Sequence, residues 1–168
     1  MTIKLSNSVL GMTHLKVGCQ APLFRFKSEC GKEMSLADLK GKKVILFFYP
    51  KDLTPGCTVQ ACNLRDNYKE LTDQGFSIIG ISADDAQSHA KFVGRYELPF
   101  PLVPDTDMKI IHDYGVWGPK HFLGINLFNG IKRTTFIINE EGIIERIIEN
   151  VNTINHTKQI LESLNNKN

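Results

Sequence analysis

The sequence lacks any long apolar run. The longest, Val44 to Tyr49, falls far short of the roughly 20 residues that a membrane-spanning helix needs. It also lacks a dominant charge: 20 Lys+Arg against 18 Asp+Glu leave +2 at pH 7, which gives no electrostatic case for nucleic acid or an anionic membrane as partner. No stretch repeats at 20–50 residues, and no low-complexity or Pro/Ser-rich linker interrupts the chain. One domain over 1–168 is therefore expected, with 1–12 as a loosely ordered N-terminal extension. Residues 1–20 hold one early lysine and no continuous apolar stretch, which argues against a secretory signal. Four cysteines are too few for a disulfide scaffold and suit a reducing cytoplasm.

What is present is an α/β pattern. Phe24–Phe26 and Glu33–Met34 flank a turn with Gly31 and predict a small hairpin. Ser35 with Asp38 reads as an N-cap of a short helical turn that stops at Gly41. Val44–Tyr49 and Phe76–Ile81 are continuous apolar runs of strand length, the pattern of strands covered on both faces. Between them Ala61, Leu64, Tyr68 and Leu71 form one stripe of an amphipathic helix beginning near Cys57. Further helices are expected over Ala86–Tyr96, Met108–Tyr114 and Thr153–Leu164, the last with Ile154, Ile160, Leu161 and Leu164 inward. Thr134–Ile138 and Ile143–Ile148 read as a hairpin. The sum is an α/β fold with a mixed central sheet flanked by helices on both faces. Pro119–Gly130 is expected to be a loop, unusually apolar, either an exposed patch for a partner or packed on the core.

The chemistry concentrates in Pro50-Lys51-Asp52-Leu53-Thr54-Pro55-Gly56-Cys57-Thr58-Val59-Gln60-Ala61-Cys62, where a buried strand turns into a helix. Ligands favour that edge of open α/β sheets. A thiol in the first helical turn sits among unpaired N–H groups at the positive end of the helix dipole, and both favour thiolate over thiol. Thr54 places a hydroxyl three residues before it. Cys57 shares the buried face with Ala61. Cys62 lies on an ideal helix with its Cα about 8.6 Å from that of Cys57, beyond the limit of about 7 Å for a disulfide. Pairing of the two would require the first turns to unwind. The plain alternative is two ordinary buried helix cysteines. Zinc would need a second grouped Cys/His pair, which the sequence does not offer.

These residues resemble the peroxiredoxins. Pro50, Thr54 and Cys57 match that family's P-x₃-T-x₂-C signature, and Cys62 resembles the second cysteine of the bacterioferritin-comigratory, Q-type branch. The likeness runs from Val17-Gly18 to the last helix, through Tyr114-Gly115-Val116-Trp117-Gly118 and Arg133-Thr134-Thr135-Phe136-Ile137-Ile138. It implies a thioredoxin-like fold and a thiol-dependent peroxidase acting on hydrogen peroxide and organic hydroperoxides. It further implies Cys57 as the peroxidatic cysteine and Cys62 as the resolving one, joined in an intramolecular disulfide that thioredoxin reduces. Thr54 would bond the peroxide, Pro50 would shield the site, and Arg133 would support the thiolate. No cofactor or metal is implied, and a monomer would suffice, with a weak dimer as an alternative. Without the resemblance, Arg133 reads as a strand-edge charge facing water. Two rivals are a general thiol–disulfide oxidoreductase, disfavoured by Gln60 where C-x₂-C would need cysteine, and a non-catalytic holdase using the apolar loop. No role is expected for Cys19, Cys30, Trp117 or the scattered histidines.

Overall fold

The computed structural model describes residues 13–166, so the extension expected over 1–12 lies outside the described residues. Strands β1 (Arg25–Lys27) and β2 (Glu33–Ser35) pair antiparallel across the Gly31 turn, where φ is +83°. Ser35 then caps a 3-10 helix over Leu36–Leu39 through a reciprocal capping box with Asp38. The remaining elements are β3 (Lys43–Phe48), α1 (Pro55–Asp66), α2 (Tyr68–Asp73), β4 (Phe76–Ser82), α3 (Ala86–Tyr96), β5 (Leu102–Pro104), α4 (Lys109–Asp113), β6 (Trp117–Phe122), β7 (Ile125–Ile131), β8 (Thr134–Ile138), β9 (Ile144–Ile148) and α5 (His156–Asn165). The central sheet has the order β5-β4-β3-β8-β9, parallel from β3 to β5 and antiparallel from β3 through β8 to β9, while β6 and β7 pair apart from it.

Alternation along β3 splits the core between two faces. Val44, Leu46 and Phe48 join Ile79, Ile81, Phe136 and Ile138 against α4, the 3-10 helix and the β1–β2 hairpin. Ile45, Phe47 and Tyr49 join Ile78, Leu102 and Ile137 against α1, α2, α3 and α5. Both faces are covered, which is why this strand reads as an unbroken apolar run. Gly80 is held by packing: a Cβ there would lie 2.7 Å from both Phe47 and Leu102.

Four expectations change. The long helix breaks at Asn67 into α1 and α2, although Ala61, Leu64 and Leu71 still face the core. Strand β5 was not expected; its three residues are too short to show a period. Ile154 precedes α5 and is exposed rather than inward. The expected loop over Pro119–Gly130 is instead the β6–β7 hairpin, turning at Leu123-Gly124 with both φ positive, as tight two-residue hairpin turns of type I′ require. Its Leu123, Ile125, Leu127 and Phe128 are exposed, so this segment is not packed on the core. Among the described residues no helix is long and apolar enough to cross a membrane.

Candidate active site

The parallel sheet delivers β3 to its C-terminal edge, and residues 49–54 cross from there into α1. Leu53 adopts φ +62° in this crossing, a strained conformation for a residue with a branched side chain. Thr54 is the N-cap of α1 in extended conformation and Pro55 opens the helix. Proline at this position carries no N–H and has its φ already set for a helix. The Thr54 hydroxyl does not cap; it donates to the Lys51 carbonyl at 2.8 Å. The first-turn N–H groups of Gly56 and Cys57 are thus not capped by that side chain.

Cys57 stands in this turn, 2 % exposed, with its thiol free. Arg133, from the short link between β7 and β8, reaches it: Nη2 donates to Cys57 Sγ at 3.3 Å and Nη1 donates to Gln60 Oε1 at 2.6 Å. The sequence separation of 76 residues is bridged because β8 pairs directly with β3, the strand that feeds α1. Arg133 is half-buried against the thiol, not a charge facing water. Gly56 makes room for it, since a Cβ there would lie 3.2 Å from Nη2. Gln60 is the residue that sequence reading missed. It is fully buried one helical turn after Cys57, and its Nε2 has no hydrogen-bond partner. The signal was a buried-face polar residue at i+3 from the cysteine.

Cys62 is half-buried and free on the intact helix. Burial pushes its thiol up, against the pull of Arg65. Pro50 is half-buried at the start of the crossing. Cys19 and Cys30 are both exposed. The Ser28 hydroxyl, 3.1 Å from the Cys30 sulfur, together with the Lys32 backbone, lowers the Cys30 thiol below its ordinary value.

Beneath the crossing lies a second polar cluster, also unseen in the sequence. Asp52 accepts from Tyr49 Oη at 2.6 Å, Ser88 Oγ at 2.8 Å and His89 Nδ1 at 2.7 Å. His89 Nε2 meets the Val103 carbonyl at 2.9 Å. Nδ1 also lies 3.4 Å from Tyr49 Oη, so the ring sits between one carboxylate, one hydroxyl and one carbonyl. Burial opposes a charge on the ring, but the Asp52 bond and charge outweigh it and raise the His89 pKa. Asp84 accepts from the Asp52 backbone N–H and from Ser82. Asp52, Asp84 and His89 bring potential metal-ligating atoms within 4.8 Å of one another, and these atoms are already engaged in hydrogen bonds with one another and with Tyr49, Ser82, Ser88 and Val103.

The arrangement is a buried thiol at a helix start with a guanidinium on its sulfur, equipped for nucleophilic attack with charge stabilised where it develops. Residues 17–147 match the AhpC/TSA family. The chain is 43 % identical over 150 residues to a putative peroxiredoxin bcp of Coxiella burnetii, covering 89 % of this chain and 99 % of that one. It is 40 % identical over 153 residues to peroxiredoxin Bcp of Escherichia coli K12, covering 91 % and 97 %. Among solved structures it is similar to peroxiredoxin Q of Xanthomonas campestris, at TM-score 0.77 and 30 % identity over 84 % of this chain and 89 % of that one. BcpB of Mycobacterium tuberculosis superposes at TM-score 0.78 and 32 % identity over 90 % and 97 %. The chain belongs to the AhpC/TSA family, as a peroxiredoxin of the bacterioferritin-comigratory, Q-type branch with a thioredoxin-like fold, and is a thiol-dependent peroxidase and so an oxidoreductase.

Proposed function

We propose that Cys57 is the thiol that meets the peroxide and that Cys62 completes the cycle within the same chain. The observation that carries this reading is the 3.3 Å contact of Arg133 Nη2 with Cys57 Sγ in the first turn of α1. The Cys57 thiolate attacks one peroxide oxygen and the O–O bond breaks. The sulfur keeps one oxygen as sulfenic acid, and the other leaves as water or an alcohol after taking a proton. Arg133 stabilises the charge on sulfur and on the departing oxygen, and Gln60 Oε1 holds its guanidinium in place. In this role the Thr54 hydroxyl turns from Lys51 to the peroxide, and Pro50 screens the sulfenate from water.

Cys62 then displaces water from the sulfenate to form the Cys57–Cys62 disulfide, and a dithiol reductant restores both thiols while becoming a disulfide itself. We assign thioredoxin as that reductant, and hydrogen peroxide and organic hydroperoxides as substrates. The structural study of the related Xanthomonas campestris protein concerns alkyl peroxide reduction. An ideal helix holds two Cα atoms five residues apart at about 8.6 Å, so the disulfide requires the first turns of α1 to open. The local pairing lets one domain, acting as a monomer in the cytoplasm, run the whole cycle.

Peroxide consumption coupled to thioredoxin and its reductase tests this. Cys57→Ser falls to background. Cys62→Ser keeps the first turnover near the wild-type rate and loses sustained turnover. In the wild-type protein the resolving step speeds up as pH rises, because burial holds the Cys62 thiol above the ordinary range and only its thiolate attacks. Sustained turnover by Cys57→Ser would defeat the assignment.

A further inference from the structure

Helix α1 is built of two unlike halves, and Cys62 stands at their junction. The first half, residues 55–62, starts without a side-chain cap from Thr54. It runs through Gly56, Cys57, Thr58 and Val59, all weaker helix formers than alanine or leucine. It buries Cys57, Gln60 and Ala61 but leaves its one large aliphatic side chain, Val59, 43 % exposed. Among the described residues, its side-chain hydrogen bonds to the rest of the fold are those that Arg133 gives to Cys57 and Gln60.

The second half begins at Asn63, and there the chain is bolted down. Asn63 Nδ2 donates to the Ile154 carbonyl at 2.9 Å, and Asn63 Oδ1 accepts from the Thr157 backbone N–H at 2.8 Å. That N–H lies in the first turn of α5, whose own N-cap, Asn155, makes no side-chain cap bond. Asn63 therefore caps α5 from another helix. Its backbone carbonyl in turn accepts from Asn67 Nδ2 at 2.8 Å. Leu64 is fully buried, and Arg65 Nη1 donates at 2.7 Å to the carbonyl of Tyr96, the last residue of α3. From this division we propose that Asn63 positions the resolving cysteine: α1 opens over residues 55–62 and no further, so that Cys57 travels while Cys62 stays beside a fixed end.

The proposal rests on the reading of Cys57 and Cys62 as the disulfide pair. On an ideal helix their Cα atoms stand beyond disulfide reach, so one of them has to move. Opening the half that holds Cys57 gives up mainly the Arg133 contacts. Moving Asn63 would instead uncap α5 and strip its amide of both partners. With that end held, the Cys57 sulfenate meets a thiol of fixed place. The Cys62 thiolate attacks the Cys57 sulfur, the S–S bond forms as the S–O bond breaks, and the hydroxyl leaves as water after taking a proton. The bolt to α5 survives every step of the cycle.

Amide hydrogen exchange, read residue by residue by NMR, tests it on the wild-type protein, fully reduced and as the Cys57–Cys62 disulfide. Oxidation is expected to speed exchange of the 58–62 amides by about tenfold or more and to leave the Thr157 amide and those of 68–73 unchanged. Loss of protection at Thr157 in the disulfide form would mean that Asn63 has let go, and it overturns the proposal. A second readout follows one equivalent of hydrogen peroxide through sulfenate and then disulfide formation. Asn63→Ala slows the disulfide step by about three- to tenfold relative to the sulfenate step, because Cys62 loses its fixed place. An unchanged ratio of the two steps would leave Asn63 a cap of α5 alone and overturn the positioning role. If peroxide yields no Cys57–Cys62 disulfide, the reading of that pair as a peroxide-driven couple falls. The same exchange measurement on a disulfide made with diamide then still decides where α1 opens, and failure of diamide to join the two overturns the proposal as well.

Discussion

Two buried polar clusters flank the crossing from β3 to α1, and they are built on opposite principles. Around Asp52 both carboxylate oxygens are bonded: the carboxylate takes three hydrogen bonds and both nitrogens of His89 are engaged. Around Cys57 the bonding is left open. The sulfur holds the long bond from Arg133, Gln60 Nε2 has no partner, and the Thr54 hydroxyl turns away to Lys51. A densely bonded network in a low-dielectric interior fixes structure, because losing a member leaves a buried polar partner unpaired. An unsaturated one keeps its bonding capacity for an incoming group. The first cluster holds the strained start of the loop, and the second stands open at its end.

Substitutions that attack each cluster separately sharpen this contrast. Arg133→Met lowers the rate of the peroxide reaction by about a hundredfold or more, the usual effect of removing a preorganised charge-stabilising donor. It destabilises the fold by only about 1–3 kcal/mol, since it leaves Gln60 Oε1 without its donor. Asp52→Ala does the reverse: unfolding in urea shows a loss of about 3–5 kcal/mol, because His89, Tyr49 and Ser88 are left buried without the carboxylate that they bond. The peroxide rate of that variant falls by about tenfold through loosened positioning of residues 52–57. Equal and large rate losses with no loss of stability for Asp52→Ala would erase the distinction between support and site.

A smaller effect comes from the second buried histidine. His156 donates from Nδ1 to Gln159 Oε1 and has Nε2 at 2.9 Å from the Thr135 hydroxyl, the pattern of a neutral ring. Burial, with Arg133 adding to it, lowers its pKa from 6.5 to about 4 despite the Gln159 bond. The unfolded chain thus binds a proton that the folded chain refuses. Stability is fully present above pH 6.5 and is lost as pH falls toward 4, by about 3 kcal/mol in all. His89 works in the opposite sense: its raised pKa contributes stability below the ordinary histidine value, lost as pH rises through its folded value. Urea unfolding of His156→Gln at pH 7 and pH 4.5 is expected to show a flatter acid limb than the wild type. An unchanged slope would mean that other groups govern acid stability.

Much of this was legible in the residues because it follows from local rules. Val44–Tyr49 announces a strand buried on both faces, Ser35 and Asp38 announce a capped turn, and Ala86–Tyr96 carries helix periodicity over its full length. The Pro50, Thr54 and Cys57 frame marks the helix start. What was not legible depends on contacts across the sheet. The approach of Arg133 to Cys57 is a consequence of β8 pairing with β3. The Asp52–His89 pair joins residues 37 positions apart. The β6–β7 hairpin defeats pattern reading because its apolar residues face outward, so apolarity no longer reports burial. Gln60 was visible on the helix face, but its meaning depends on the guanidinium it holds.

The most direct test of the central claim is to mix reduced protein with one equivalent of hydrogen peroxide, quench within seconds and map the four cysteines by peptide mass spectrometry. A prompt Cys57–Cys62 disulfide, with Cys19 and Cys30 still reduced, is the predicted result and would require α1 to open at its first turns. Slow oxidation scattered over all four cysteines would contradict it, leaving Cys57 an ordinary buried thiol beside an arginine.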